Sequence, residues 1–146
     1  MAGRMSKALA RQFVRRVAEA PDEQLEALDG ARARAIVTGI FRLMPTQFNR
    51  RAARDLRAAI EWRVTEADGG ASIHTVRISG GRCRVRRGVV ADPDLILSLD
   101  TADFLRLAAG VASAPVLFGE GRLRVQGDLG LALRLPRLFR VPRAQP

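Results

Sequence analysis

The chain has 146 residues, of which 47% are hydrophobic and 27% charged, which suits one globular domain with its own core. Its 25 Lys and Arg against 15 Asp and Glu give a formal net charge of +10 at pH 7. The single cysteine excludes a disulfide within the chain, and one His with one Cys argues against a zinc site, since zinc needs several such ligands. No run approaches the ~20 apolar residues of a membrane span.

The excess of basic residues has a bland interpretation and a functional one. Every cation except Lys7 is an arginine, and together with abundant Ala and Gly this indicates a GC-rich, and we expect bacterial, genome. A strongly positive surface also attracts phosphate, in nucleic acid or in anionic lipid headgroups. The N-terminal stretch carries Arg4, Lys7 and Arg11 without the apolar core of a signal peptide, so we expect a cytoplasmic protein.

The first 45 residues are typical of helices. A helix that Ser6 caps is predicted to carry an apolar stripe and to end before Pro21, and residues 23–29 are a short helical turn or loop. A second helix is predicted over residues 31–44, because Pro45 disfavours helix at the residue before it. Residues 46–59 keep a helical spacing of apolar side chains.

The hydrophobic period changes from 3.6 to 2 at Ile60, which predicts strands over residues 60–65, 72–79, 82–87 and 95–99 in a meander. Gly80-Gly81 is a two-residue hairpin signal. Asp100 is predicted to cap the next helix, and Asp128 to cap the last one, over residues 129–135. A fifth strand, residues 122–126, lies between these helices.

This order predicts an α+β fold. We expect a five-stranded, mostly antiparallel sheet with helices packed on one face, preceded by an N-terminal helical extension. The extension takes residues 1–45 and the domain residues 46–146, as one globular unit overall.

Alternation places a set of arginines on the exposed face of the sheet, opposite the inward residues of each strand. This set, which would suit contact with an anionic surface, comprises Arg63, Arg77, Arg82, Arg84, Arg86, Arg122 and Arg124. Nucleic-acid binding is the rival interpretation. It is disfavoured because stacking platforms place aromatic side chains among the arginines, whereas the chain has no Tyr and Trp62 is predicted to point inward.

The second half of the chain carries an ordered series of motifs. Ala91-Asp92-Pro93-Asp94 leads into an apolar strand, Asp103-Phe104 lies in a helix that ends at Gly110, and Gly127-Asp128 precedes an Ala/Leu-rich helix. With the earlier strands, this series resembles the sterol carrier protein 2 (nonspecific lipid-transfer) family over residues 59–139. Pro136 departs from the family pattern, so the last helix is expected to be short or kinked. The chain before Phe41 does not match closely.

The resemblance implies a sheet covered by helices that enclose an apolar tunnel for a lipid, such as a fatty acyl chain, acyl-CoA, a sterol or an isoprenoid. It implies no catalytic residue, metal or cofactor. By matching positions, the candidates for the tunnel wall are Phe104, Leu107, Val116, Phe118, Leu131 and Leu135. Ordinary core packing would use the same residue types, so each position keeps that second interpretation.

One alternative is an accessory or scaffold domain that assists a lipid-metabolising enzyme. The N-terminal helices would then present Phe13, Val17, Ile36 and Phe41 to a partner or to a second copy in a homodimer. A catalytic pair of His74 and Cys83 on neighbouring strands is disfavoured, because no third group is placed to orient it. The function favoured is therefore non-catalytic binding or carriage of an apolar lipid.

Overall fold

The computed structural model describes residues 2–28 and 30–140. Three helices come first, then a mixed run of strands and helices that follows the predicted α+β order. The elements are α1 (Ala2–Glu19), α2 (Asp22–Glu26), α3 (Gly30–Leu43), β1 (Ala58–Thr65), β2 (Ala71–Ser79), β3 (Arg82–Arg87), β4 (Leu95–Asp100), α4 (Thr101–Ala108), α5 (Ala114–Gly119), β5 (Arg124–Gly127) and α6 (Leu129–Leu138). The α+β class and the five-stranded, mostly antiparallel sheet are confirmed.

The strands lie in the order β3-β2-β1-β4-β5. β1–β2 and β2–β3 are antiparallel, with Trp62 opposite His74 and Val76 opposite Val85. β4 runs parallel to β1, with Leu97 beside Trp62, and β5 is antiparallel to β4. The predicted meander is therefore wrong at its fourth strand, because β4 pairs with β1 rather than with β3. Alternation specifies which side chains of a strand face inward, but it does not specify the neighbouring strand.

The chain reaches β4 by a loop, residues 88–94, that crosses the outer face of the sheet. At the start of the loop the Thr75 hydroxyl donates to the Gly88 carbonyl oxygen over 2.7 Å. At its end the Asp94 carboxylate accepts from the Ala59 N–H over 2.7 Å, while the Asp94 N–H donates to the Ala59 carbonyl over 2.9 Å. The loop covers the middle of this face, where Thr75 and Glu61 are buried.

The helices cover the other, inner face of the sheet. Phe41 of α3 stacks on His74 of β2 with ring centroids 4.2 Å apart, and on Phe104 of α4 at 5.0 Å. Val14 and Val17 bury the apolar side of α1 in the same core. The three N-terminal helices are thus packed onto the sheet and α4, and several of the apolar side chains offered to a partner in the accessory-domain interpretation are internal.

Several local predictions were wrong. Residues 46–57 do not continue a helix, because α3 is followed by a short 3₁₀ helix, Met44–Gln47, and then by turns. α1 already contains Ser6, so that residue does not begin the helix. α6 continues through Pro136 to Leu138. Pro136 has no N–H, so it removes one internal hydrogen bond, and only two residues of the helix follow it.

Candidate functional site

The candidate site is an apolar cavity of about 580 Å³ between the inner face of the sheet and helices α4 to α6. Trp62, Leu97 and Val125 form its floor on three neighbouring strands. Among the residues that the structure describes, none that lines the cavity is charged, and the only hydroxyl in the wall belongs to Ser113. That hydroxyl accepts from the Val116 N–H at the start of α5, so it already serves as a helix cap.

Capped helices position the upper wall of the cavity. The Asp100 carboxylate accepts from the Asp103 N–H over 2.7 Å and so begins α4 where predicted. Phe104 and Leu107, three residues apart, therefore lie on one side of that helix and face the cavity. The Asp128 carboxylate likewise accepts from the Leu131 N–H and begins α6, as predicted.

The far end of α6 is also held in place. The Asn49 N–H donates to the Leu138 carbonyl over 2.7 Å, and the Arg140 N–H donates to the Gln47 carbonyl over 2.8 Å. The Phe48 and Phe139 rings pack against each other nearby, tilted by 50° with centroids 5.6 Å apart. α6 is thus anchored at both ends over the cavity, which is the geometry of a fixed cover rather than of a free tail.

Four of the six predicted wall residues line the cavity, namely Phe104, Leu107, Phe118 and Leu135. Val116 does not, because it lies on the outer side of α5 with 55% of its surface exposed. Leu131 does not either. It is buried with Leu138, seven residues further on, in the stripe of α6 beside the lining face.

Sequence reasoning missed much of the wall. The missed residues include Met44, Trp62, Leu97, Leu123, Val125, Leu129, Ala132, Leu133 and Phe139. The inward strand residues among them were recognised by period-2 alternation, but that signal is the same for a solid core and for a cavity floor. On α6, helical spacing from Leu135 could have found Ala132, three residues earlier, but not Leu129 or Leu133, which lie six and two residues before it.

The mouth of the cavity lies between α5 and α6. Phe118 on α5 and Leu129 and Leu133 on α6 line the cavity, yet they are exposed by 54%, 59% and 75%. A side chain that both lines a cavity and faces solvent marks the edge of the opening.

A second, polar concavity of about 770 Å³ lies beside α2 and the first turn of α4. Its centre is the buried carboxylate of Asp103, which accepts from Arg106 Nη1 over 2.9 Å and from Arg122 Nε over 3.1 Å. Arg106 also reaches Asp22 of α2 over 3.0 Å. The hydrogen bond to Asp103 raises the pKa of Arg122. These charges are paired with one another, so the concavity is a structural junction rather than an acid–base site.

The structure corrects the arginine face at one position. Arg63, Arg77, Arg82, Arg84, Arg86 and Arg124 share the outer face of the sheet by strand register. Arg122 precedes β5 instead, and its guanidinium pairs with Asp103 and Glu120. A buried carboxylate within reach attracts a guanidinium more strongly than open solvent does. The remaining six, called the arginine face below, lie on the opposite side of the sheet from the cavity.

His74 and Cys83 do not form a catalytic pair. In the β2–β3 register His74 lies opposite Arg87 and Cys83 opposite Ile78, four residue positions apart, or roughly 13 Å along the strands. Burial raises the pKa of the Cys83 thiol to about 11. Burial, and then the nearby Arg87 charge, lower the pKa of His74. Within residues 2–28 and 30–140, no three His, Cys, Asp or Glu side chains are grouped to hold a metal ion.

Among the described helices, none has the length and apolar character needed to cross a membrane. The fold and the cavity together define an α+β domain in which one face of a mixed sheet and its covering helices enclose an uncharged space of ligand size. The chain belongs to the SCP-2 sterol transfer family, whose model matches residues 37–140. The resemblance inferred from the sequence motifs is confirmed.

Curated relatives include hydroxysteroid dehydrogenase-like protein 2 from Rattus norvegicus, which is 26% identical over 100 residues, covering 68% of this chain and 19% of the relative. The Homo sapiens protein of that name is 26% identical over 124 residues, covering 84% of this chain and 29% of the relative. The chain therefore spans less than a third of the length of these relatives.

Solved structures share the fold at low sequence identity. Sterol carrier protein 2 from Yarrowia lipolytica has a TM-score of 0.59 at 22% identity, over 75% of this chain and 91% of that one. Palmitated SCP2L2 from Aedes aegypti has a TM-score of 0.57 at 19% identity, over 69% and 91%. The sec-alkylsulfatase Pisa1 from Pseudomonas sp. has 0.59 at 18% identity, over 68% of this chain but 15% of that one.

Proposed function

We propose that this chain binds one single-chain apolar lipid in the cavity and carries it without catalysing a reaction. The observation that carries the proposal is the wall of the cavity, which within the described part of the chain includes no charged side chain. Membership in the SCP-2 sterol transfer family agrees with this assignment at the level of lipid binding or transfer.

The volume of the cavity limits the size of the lipid. A protein cavity of ~150 Å³ holds one benzene molecule, so the ~580 Å³ found here corresponds to roughly four such rings, or about 24 carbon atoms. One long acyl chain, an isoprenoid or a sterol-sized body matches this capacity, whereas the two chains of a phospholipid exceed it. A protein of the same fold has been solved in a palmitated form. Palmitate has a single acyl chain, as does the class of ligand proposed here.

The wall also suggests how the affinity arises. Each methylene that leaves water for the cavity contributes roughly 0.8 kcal/mol, so affinity should rise with chain length until the cavity is full. The polar head of the lipid would remain at the mouth between α5 and α6, since none of the described side chains that line the cavity is charged. We therefore expect the protein to select lipids by the length of the apolar chain rather than by the head group.

Native mass spectrometry of the protein purified from its own host, followed by extraction, is the direct test. We expect one bound acyl, isoprenoid or sterol-like molecule per chain. The delipidated protein should then bind a fluorescent single-chain fatty acid and ignore a diacyl analogue. A protein that is empty as isolated and takes up neither probe would overturn the proposal.

A second candidate is a domain that presents its lipid to an enzyme. This candidate is favoured because several proteins that share the sequence or the fold are much longer and carry enzyme names, with this chain covering 19% of one and 15% of another. Stable co-purification with a lipid-metabolising enzyme from the native host, whose turnover rises when the loaded chain is added, would support presentation. Equal turnover with free lipid and with loaded chain would argue against it.

A further inference from the structure

Four arginines without an ionic partner lie together on the outer face of β2 and β3. They are exposed, and we call them the arginine cluster: Arg77, Arg82, Arg84 and Arg86. Within residues 2–28 and 30–140, the arginines that form an ion pair with a carboxylate are Arg34, Arg63, Arg106 and Arg122. The cluster is thus the part of the arginine face whose charge the described fold does not neutralise.

The strand register brings these like charges close together. Arg77 lies directly opposite Arg84, and Arg82 and Arg86 lie two residues to either side of Arg84 on β3. Side chains directly opposite each other in an antiparallel pair have Cβ atoms roughly 5 Å apart, a separation at which like charges destabilise the sheet. An anion bound between the guanidinium groups replaces this repulsion with charge-assisted hydrogen bonds. The register therefore favours an anionic ligand.

The cluster is longer than a single phosphate group. Its three members on β3 alternate with Cys83 and Val85, so they form a row roughly 14 Å long, because a strand rises about 3.4 Å per residue. At the hairpin turn the exposed Arg50 extends the row, since its Nε donates to the Gly81 carbonyl oxygen over 3.1 Å next to Arg82. Duplex DNA carries one negative charge for every ~1.7 Å of its axis. The length of the row favours such a polymer of phosphates.

The surroundings of the cluster favour nucleic acid over an acidic protein. The residue opposite Arg82 is the exposed Ser79, and of the large apolar side chains exposed in the described structure only Val89 lies on the loop that crosses this face. The core of a protein–protein interface is apolar and poor in charge. Surfaces that bind nucleic acid are instead polar and strongly positive, as this one is.

The same surface favours a duplex over a single strand. On the five strands of the described structure no aromatic residue occupies an outward position, since Trp62 and His74 point inward. Single strands are held largely by bases that stack on aromatic side chains. In a duplex the bases stack on each other, and contacts to the phosphates position a protein without reading the sequence.

We propose that the arginine cluster binds the phosphate backbone of double-stranded DNA without regard to base sequence. The cluster lies on the opposite side of the sheet from the cavity, so the mouth between α5 and α6 stays open to solvent while DNA is bound. A bilayer is a poorer occupant for the same reason, because docking through this face would direct the mouth away from the lipid. The inference goes beyond the proposed function and does not depend on lipid carriage.

The test uses variants that differ in the position of the lost charge. The cluster variant replaces three arginines of β3 with Gln, by Arg82→Gln, Arg84→Gln and Arg86→Gln. The matched control removes the same number of charges from the exposed side of α1, by Arg11→Gln, Arg15→Gln and Arg16→Gln. A charge-keeping variant has Lys at the three β3 positions. Circular dichroism establishes that each variant is folded.

The readout is the fluorescence anisotropy of a labelled DNA duplex, titrated at several salt concentrations. Wild type should bind two unrelated sequences equally, with an affinity that falls steeply as salt is added. The cluster variant should lose about tenfold or more in affinity, and its plot of log affinity against log salt should be shallower by roughly three. The α1 control and the Lys variant should stay within about threefold of wild type.

Three results would overturn DNA binding by the cluster. One is the absence of duplex binding by wild type at low salt, and another is an equal loss in the cluster variant and the α1 control. The third is tighter binding of a single strand, a polyglutamate chain or phosphatidylserine vesicles than of the duplex, which would assign the face to that other ligand. Uptake of a fluorescent fatty acid should be equal in all four proteins, and its absence in wild type would remove carriage while leaving DNA binding in place.

Discussion

The inner face of the sheet is solid at one end and hollow at the other. Under α3, Phe41 fills the space between β2 and α4 by stacking on His74 and on Phe104. Under α5 and α6, the inner face of β1, β4 and β5 borders the apolar cavity instead. Phe104 forms the boundary, since it contacts Phe41 and also lines the cavity. Apolar strand residues lie on the inner face at both ends, with His74 as a buried polar residue at the solid end. The covering helices therefore determine where the fold is hollow.

The largest expected effect is at the solid end. Phe41→Ala removes a fully buried ring from the aromatic stack, and we expect it to lower the free energy of unfolding by ~3–5 kcal/mol. Phe118→Ala is the matched control at the mouth of the hollow end, where the ring is half exposed, and it should cost less than about 1 kcal/mol. Urea unfolding followed by circular dichroism measures both values. Equal losses in the two variants would contradict the comparison.

The ionic junction beside the cavity should show the next largest effect. Asp103→Asn leaves Arg106 and Arg122 facing a neutral amide in a buried position, which we expect to cost ~3 kcal/mol. Glu120→Gln removes the exposed partner of the same Arg122 and should cost less than ~1 kcal/mol. The same denaturation experiment applies. A cost for Asp103→Asn no larger than that for Glu120→Gln would show that the buried carboxylate is not the centre of the junction.

Two alanines allow the hollow and solid regions to be compared with the same substitution. Ala132 lines the cavity, whereas Ala102 is buried without lining it. Ala132→Phe should fill free space, change the stability by less than ~1 kcal/mol and sharply reduce fatty-acid uptake. Ala102→Phe should overpack the core and cost ~1–3 kcal/mol. A large loss of stability in Ala132→Phe would mean that the space beside Ala132 is not free. Unchanged uptake in a folded variant would mean that the cavity does not hold the ligand.

The sequence alone predicted the helices and strands better than it predicted which strands pair with each other. β3 and the caps at Asp100 and Asp128 were found because hairpin glycines and capping carboxylates act over a few residues. The pairing of β4 with β1 was missed, since it depends on a loop that crosses two strands. The path of residues 46–57 was missed as well, where apolar residues at helical spacing pack without forming a helix.

The sequence predicted which elements form the candidate site, but not all of the side chains that line it. Four of the candidates named from the family resemblance line the cavity, but Val116 and Leu131 lie one helical position away from it. Arg122 was assigned to the arginine face by alternation, yet the buried carboxylate of Asp103 decides its position. Both errors have one cause. A sequence pattern identifies which residues share one face of a helix or strand, but the tertiary packing decides what that face contacts.

The smallest predicted effect is a pH dependence at the solid end. His74 is the only histidine, and burial together with the charge of Arg87 lowers its pKa in the folded state. As the pH falls below the ordinary histidine pKa of about 6.5, the unfolded chain takes up a proton that the folded chain does not. Stability should therefore decrease between about pH 7.5 and pH 5.

The variant His74→Phe isolates this contribution. It keeps an aromatic ring against Phe41 and removes both the titrating nitrogen and the Nδ1 atom that is buried without a hydrogen-bond partner in the described structure. Carboxylates ordinarily titrate nearer pH 4, so the unfolding free energy of the variant should fall less over this interval than that of wild type. An identical fall in both proteins would show that His74 does not control it. Because His74 does not line the cavity, fatty-acid uptake by the folded protein should stay constant across the same interval, separating acid sensitivity of the solid end from ligand binding at the hollow one.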